Sequence, residues 1–305
     1  MGIAFISHPD CELHDTGAGH PESPARMRAV LDYLPSRDIW HRLTQYEAPL
    51  VDREKLYRVH DKHYVDTVFA AEPSQGRVYL DPDTSMAPHS LNAALRAAGS
   101  VVMGVDLVMS GDMDQAFCCV RPCGHHAEVA RPMGFCLFNN IAVGARYAQD
   151  RYGLNKVAIV DFDVHHGNGT EDIFRNDPSV FFSSTFQHPF YPGSGADTRS
   201  DHIVNIPLPA GTRGDRFRAA FEERILPALN GFEPELLFIS AGFDAHNDDP
   251  LAQLCLFEED FAWATGKIKG VADLHAQGRV ISVLEGGYNL LALARSVEAH
   301  LQAML

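Results

Sequence analysis

Apolar positions along this chain follow two alternating patterns. Short runs without polar alternation, rich in β-branched and aromatic residues, read as strands buried on both faces of a parallel sheet. They fall at residues 2–7, 115–121, 157–161, 179–185, 202–207, 235–241 and 279–284. Between them, apolar residues recur at helical spacing. The first helix is expected from Pro24 to about Leu34, with Met27, Val30, Leu31 and Leu34 on one face and Ser23 as its cap. Further helices are expected near 53–59, 61–72 (capped by Asp61), 89–110, 140–151, 170–176, 214–230, 258–277 and 289–304. Residues 73–88, rich in Pro and Asp, and residues 186–200 read as loops. Strands alternating with helices predict a mainly parallel sheet covered on both faces. No repeat, low-complexity tract or linker interrupts the pattern, so one domain over 1–305 is expected.

Composition narrows the class. The 305 residues, 46% hydrophobic, are enough for one large core. A formal net charge of −15 argues against non-specific nucleic-acid binding, which relies on Lys and Arg. Cysteines stand at 11, 118, 119, 123, 136 and 255 without a Cys-x-x-Cys pair, and read as reduced thiols. The first ten residues lack a basic and apolar leader, and nothing reaches the roughly 18 apolar residues of a membrane span. A cytoplasmic location is the resulting expectation.

The candidate chemistry lies where strands end. The run Val157-Ala158-Ile159-Val160 leads into Asp161-Phe162-Asp163-Val164-His165, followed by His166-Gly167-Asn168-Gly169. In an extended chain Asp161, Asp163 and His165 share a face. Two carboxylates and an imidazole are costly to bury together without a cation. Other expected strand ends carry His125-His126, Gly242-Phe243-Asp244 and Glu285-Gly286-Gly287-Tyr288. Carboxyl ends of parallel strands converge in α/β sheets. Asp163, His165 and Asp244 supply three ligand types that zinc accepts and leave a position open. His125 and His126 then suit a general base or acid and an electrostatic partner, with Asp161 orienting one of them. Tyr288 can donate to a developing oxyanion. The reaction implied is metal-assisted attack of water on a carbonyl.

These motifs resemble the zinc-dependent histone deacetylase family, whose wider superfamily includes acetylpolyamine amidohydrolases. The resemblance rests on Gly19-His20-Pro21-Glu22 with Arg26, Arg121-Pro122-Cys123-Gly124-His125-His126-Ala127, Gly134-Phe135-Cys136 and the Asp161–Thr170 stretch. It continues through Tyr191-Pro192-Gly193-Ser194-Gly195, Ala241-Gly242-Phe243-Asp244 and Leu284–Asn289. It implies the single-domain arginase–deacetylase fold, with a parallel sheet of about eight strands between helices. By the resemblance, Asp163, His165 and Asp244 are zinc ligands. His126 is the general base and acid, His125 its partner on Asp161, and Tyr288 the carbonyl polariser. Gly134 and Phe135 belong to one wall of the substrate tunnel, and Phe190 or Tyr191 forms the other. A potassium ion is implied at Asp161 and Ser184, with backbone atoms of Asp163, His165 and Thr185. A second cation is implied near Phe174, Asp177 and Val180.

Three positions depart from the commonest family pattern. Asn168 stands where some members have Asp, Cys123 where Pro is common, and Phe186 where a polar residue is common. Asn168 places the chain near the class II and bacterial branch. Leu251 falls where polyamine-specific members carry an acidic gatekeeper, which favours acyl-lysine or a broad range of N-acyl amines. Acetylpolyamine hydrolysis is the alternative, since Glu12, Asp15, Glu22, Asp81 and Asp83 lie in loops able to rim a mouth. The reading taken for most of these is caps and solvated charges.

Overall fold

A computed structural model describes residues 2–305. Ten strands form. They are β1 (Ile3–Ser7), β2 (Leu43–Glu47), β3 (Val78–Asp81), β4 (Thr84–Met86), β5 (Gln115–Cys118), β6 (Val157–Asp161), β7 (Val180–Gln187), β8 (Ile203–Leu208), β9 (Leu236–Ala241) and β10 (Val280–Leu284). Eight of them make one sheet in the order β2-β1-β5-β10-β9-β6-β7-β8, and every pairing in it is parallel. The helices are α1 (Ala25–Tyr33), α2 (Arg53–Leu56), α3 (Lys62–Ala70), α4 (Ser90–Ser110), α5 (Asn140–Tyr152), α6 (Asn168–Phe174), α7 (Gly214–Ala220), α8 (Leu226–Phe232), α9 (Glu258–His275) and α10 (Leu290–Met304). The expected α/β architecture holds.

Helices cover both faces of the sheet. Gly104 of α4 lies against Ile6, Ala116 and Ile281. His300 of α10 lies against Phe117 and bonds Ser282. Neighbouring strand residues point to opposite faces, so α4 and α10 cover opposite sides. β5, β6, β9 and β10 are buried at every position, which is why their sequences carry no polar alternation.

Five local features differ from the sequence reading. β2 was not anticipated, because it is a polar edge strand, Leu-Thr-Gln-Tyr-Glu, partly or fully exposed throughout. The loop expected at 73–88 contains the antiparallel hairpin β3–β4. Ser23 does not cap α1, whose cap position is Pro24. The helix expected over 214–230 carries a widened π turn at Phe221–Ile225. Pro227 follows and has no N–H to give a carbonyl four residues back, so the ladder is already interrupted there. Finally, α4 is long and apolar enough to cross a membrane, but 67% of its most apolar window is buried in the fold. It reads as a core helix.

Candidate active site

Four adjacent strands, β5, β10, β9 and β6, deliver the candidate residues from their carboxyl ends. β6 ends at Asp161 and leads to Asp163 and His165, and β9 leads to Asp244. Ligand atoms of Asp163, His165 and Asp244 all lie within 4.8 Å of one another. The backbone fixes their orientation. Asp163 Oδ2 accepts from Gly286 N at 2.8 Å, and Asp163 Oδ1 from His165 N at 2.8 Å. Asp244 Oδ1 accepts from Val164 N at 2.9 Å. Asp244 Oδ2 is buried and accepts no hydrogen bond, although His165 Nδ1 stands 3.2 Å away. Gly286 is required here, since a Cβ would come within 2.0 Å of that same Oδ2.

The electrostatics of these three groups call for a cation. Burial opposes charge on His165, yet the carboxylates of Asp163 and Asp244 push its pKa up to about 10. Burial and the nearby Asp163 charge hold the Asp244 carboxyl above its ordinary range. A proton shared among two buried carboxylates and an imidazole stands in for missing positive charge. One nitrogen and two carboxylate oxygens, with an orphan oxygen among them, fit a divalent metal with an open position.

The tandem histidines follow β5, and their environments drive them apart. His125 Nδ1 donates to Asp161 Oδ2 at 2.9 Å. Burial disfavours its cation, but Asp161 and Asp163 together raise its pKa well above the ordinary value. His126 Nδ1 lies 2.7 Å from Asn168 Oδ1. Asn168 Nδ2 donates to Glu128 Oε1 at 2.7 Å, so the oxygen end of the amide faces His126. His126 therefore carries its proton on Nδ1 and leaves Nε2 as a free base. Burial, then the His125 and His165 charges, keep His126 neutral, with a pKa well below the ordinary value. A cationic and a neutral imidazole side by side is the arrangement expected of paired acid–base groups.

A narrow cavity of about 90 Å³ descends onto this cluster, lined by Asp83, His126, Gly134, Phe135, His165, Tyr191, Leu251 and Tyr288. That is small beside the roughly 300 Å³ or more of a drug-sized pocket, and suits an extended chain. Of the two aromatic candidates, Tyr191 lines this cavity together with Phe135, and Phe190 does not. Phe190 stacks on the His165 ring, with centroids 5.5 Å apart and planes at 19°. Phe135 and Tyr288 meet edge to face at 6.4 Å. Asp161 and Ser184 are register partners on β6 and β7, with Thr185 next along the strand. Ser184 Oγ lies 3.2 Å from Nδ1 of His166, which is otherwise taken up by Glu171. Asp177 is engaged by Arg146 and Ser179.

A model of the histone deacetylase domain matches residues 20–304. The chain belongs to the histone deacetylase family. Membership makes it a hydrolytic enzyme of the deacetylase or amidohydrolase type. It is 39% identical to an uncharacterized Synechocystis protein over 99% of both chains. It is 38% identical to a histone deacetylase-like amidohydrolase of Pseudomonas aeruginosa, over 89% of this chain and 73% of that one. The crystal structure of the HDA15 HD domain superposes with a TM-score of 0.92 at 33% identity, covering 100% of this chain and 90% of that one.

Around this deacetylase-family site, Asp249 has no signal in the sequence, and Glu285 and Arg26 have none beyond their place in motifs. Glu285 opens the Glu285-Gly286-Gly287-Tyr288 motif. It is buried, accepts from Gly124 N at 2.7 Å and His125 N at 3.2 Å, and burial pushes its pKa up to about 7. Asp249 Oδ2 accepts from Tyr288 N and Asn289 N, so it anchors the turn that carries Tyr288. Arg26 donates to Gly287 O at 2.6 Å and sits 5.0 Å over the Tyr288 ring. Of the acidic residues considered for a rim, Glu22 is fully buried between Arg121 and Arg26. Asp83 lines the cavity, and Glu12 pairs with the exposed Arg28. Asp and Glu look alike in a sequence whether solvated or buried, and only the fold separates these cases.

Proposed function

We propose that this chain is a zinc-dependent deacylase, working as a single catalytic domain on acetyl or other acyl groups carried by lysine-type amines. The observation that carries the reading is convergence. The narrow cavity ends where the Asp163–His165–Asp244 cluster, neutral His126 and Tyr288 all meet. A zinc ion held by those three residues would polarise the acyl carbonyl and make water more acidic. The remaining work belongs to the protein's own groups. The aliphatic stem of the substrate lies between Phe135 and Tyr191 and excludes water. His126 Nε2 takes the proton from the attacking water and later delivers it to the departing amine nitrogen. His125, held cationic by Asp161, stabilises negative charge nearby. Tyr288 donates its hydroxyl to the oxyanion. Burial holds the phenol pKa well above its ordinary value, so the proton is retained for that purpose. A potassium ion at Asp161, Ser184 and the backbone of Asp163, His165 and Thr185 is part of the same reading.

In metal-loaded protein, Tyr288→Phe is expected to lower kcat on an acetyl-lysine peptide by on the order of 100-fold or more. His126→Ala is expected to lower it by about 100- to 10,000-fold. Both variants should keep their metal. Unchanged turnover in the pair would sink the reading. A second reading, hydrolysis of N-acetylated polyamines, is favoured by one feature, the Asp83 carboxylate in the cavity wall. Comparing kcat/KM for acetylputrescine, acetylspermidine and an acetyl-lysine peptide separates the two. Leu251 at the same wall favours the lysine-type substrate.

A further inference from the structure

Cys123 and Cys136 meet beneath the cavity wall, with sulfurs 3.3 Å apart. Both are buried, and neither has a part in the chemistry above. We propose that they form an oxidisable dithiol site, in which a peroxide converts the pair to a disulfide and the resulting shift of the cavity wall slows turnover. The claim about turnover rests on the proposed function; the claim about the bond does not.

Proximity is the first argument. A disulfide needs sulfurs about 2.05 Å apart, so the pair must close by only roughly 1 Å. Position is the second. Cys123 lies two residues before His125, and Cys136 directly follows Phe135. Both sulfurs lie against Gly134 O, at 3.8 Å from Cys123 and 3.2 Å from Cys136. Together with Ala127 and Phe135, the cysteines make a small apolar cluster separate from the main core. Movement at the pair therefore falls on the two segments that carry the tandem histidines and the tunnel wall.

Those segments have little slack. Gly134 packs so closely on His126 that a Cβ there would lie 2.2 Å from the ring. Gly134 and Phe135 both have positive φ, 58° and 69°, which for Phe135 is a strained conformation. Gly134 N and Phe135 N are pinned by Asp83 Oδ1 and Thr84 Oγ1. A shift of about 1 Å in such a site costs on the order of 100-fold in rate.

The chemistry balances with hydrogen peroxide as oxidant, a molecule near water in size. Cys123 retains 3% exposure and Cys136 none, so the first attack falls to Cys123. Its sulfur takes one peroxide oxygen, giving a sulfenic acid and one water. The Cys136 sulfur then displaces the hydroxyl as a second water, and the S–S bond forms. The two sulfurs lose two electrons in total and the peroxide gains them. Burial holds the Cys136 thiol well above its ordinary pKa, which slows its attack on the sulfenic acid.

The test uses the full, metal-loaded chain and graded hydrogen peroxide. Cys255 is partly exposed and reports the oxidant dose internally. After alkylation in denaturant and peptic digestion, mass spectrometry is expected to find Cys123 and Cys136 linked, with two hydrogens lost. Turnover should fall by at least about tenfold in step with the link, at constant metal content, and a thiol reductant should restore both. Cys123→Ser and Cys136→Ser, each compared with its own untreated activity, should lose the peroxide response. Oxidised Cys255 alongside two free thiols at 123 and 136 overturns the site. A complete link with unchanged turnover, or a loss of turnover that tracks metal loss, overturns its effect on activity. The mass readout needs neither variants nor turnover, so it stands even if no substrate is hydrolysed.

Discussion

Asn168 uses both ends of its amide, donating to Glu128 Oε1 and accepting from His126 Nδ1. A neutral acceptor fixes the His126 tautomer without stabilising its cation as a carboxylate would. As the proposed base, His126 works only when neutral, so activity is expected to fall as pH drops through its pKa. That pKa is depressed, which places the fall below the ordinary histidine range near 6.5. Asn168→Asp adds a charge at 2.7 Å and raises the pKa. The acid limb of the kcat/KM profile is therefore expected to move to higher pH, by about one unit or more. An acid limb that stays put in Asn168→Asp removes His126 from the role of base. The sequence showed Asn168 as a departure from the commoner Asp, but not Glu128, which sets its amide orientation.

At the scale of elements, the hairpin β3–β4 does what a loop could not. Its Asp83 and Thr84 side chains hold two successive left-handed residues, Gly134 and Phe135, in place. Thr84 is itself buried and bonds Asp83 at 2.8 Å. Thr84→Val keeps the shape and removes the acceptor for Phe135 N. An unpaired buried N–H costs about 1–3 kcal/mol. The expected result is a KM for acyl-lysine peptide raised by about tenfold, equivalent to ~1.4 kcal/mol, with a smaller change in kcat. Equal loss in both constants would mean that the wall acts in the transition state instead. This hairpin has a weak sequence signal because its strands are only three or four residues long and are separated by Pro82-Asp83. Its pairing also shifts register between Tyr79 and Asp81.

For the whole molecule, the Asp163–His165–Asp244 cluster is a cost to folding unless a cation balances it. Asp161, Asp163 and Asp244 are each fully buried at one sheet edge, in a chain already at net charge −15. Zinc at 100 times its Kd should stabilise the native state by about 2.7 kcal/mol. For a chain of this size that is a rise in Tm of about 5 °C. Asp244→Asn removes one buried charge, so its metal-free form should melt no lower than metal-free wild type, and added zinc should barely move it. Differential scanning calorimetry with and without zinc checks both signs. An equal zinc shift in Asp244→Asn would place the metal elsewhere.

The sequence by itself determined the layered α/β plan and the side chains at the strand ends. Unbroken apolar runs such as Val157–Val160 have no other way to be buried, and Gly and His motifs sit where those runs stop. Tertiary structure decided which groups carry charge and which wall is which. The order of β5, β10, β9 and β6 is a long-range pairing that no local pattern encodes. That order sets Asp244 beside His165. Packing of the loops beyond the strands buries Glu22 between two arginines and brings Cys123 to Cys136. It also turns Tyr191 into the cavity and Phe190 onto His165. Protonation, orientation and contact depend on what stands opposite a residue, and that is settled only when distant segments pack.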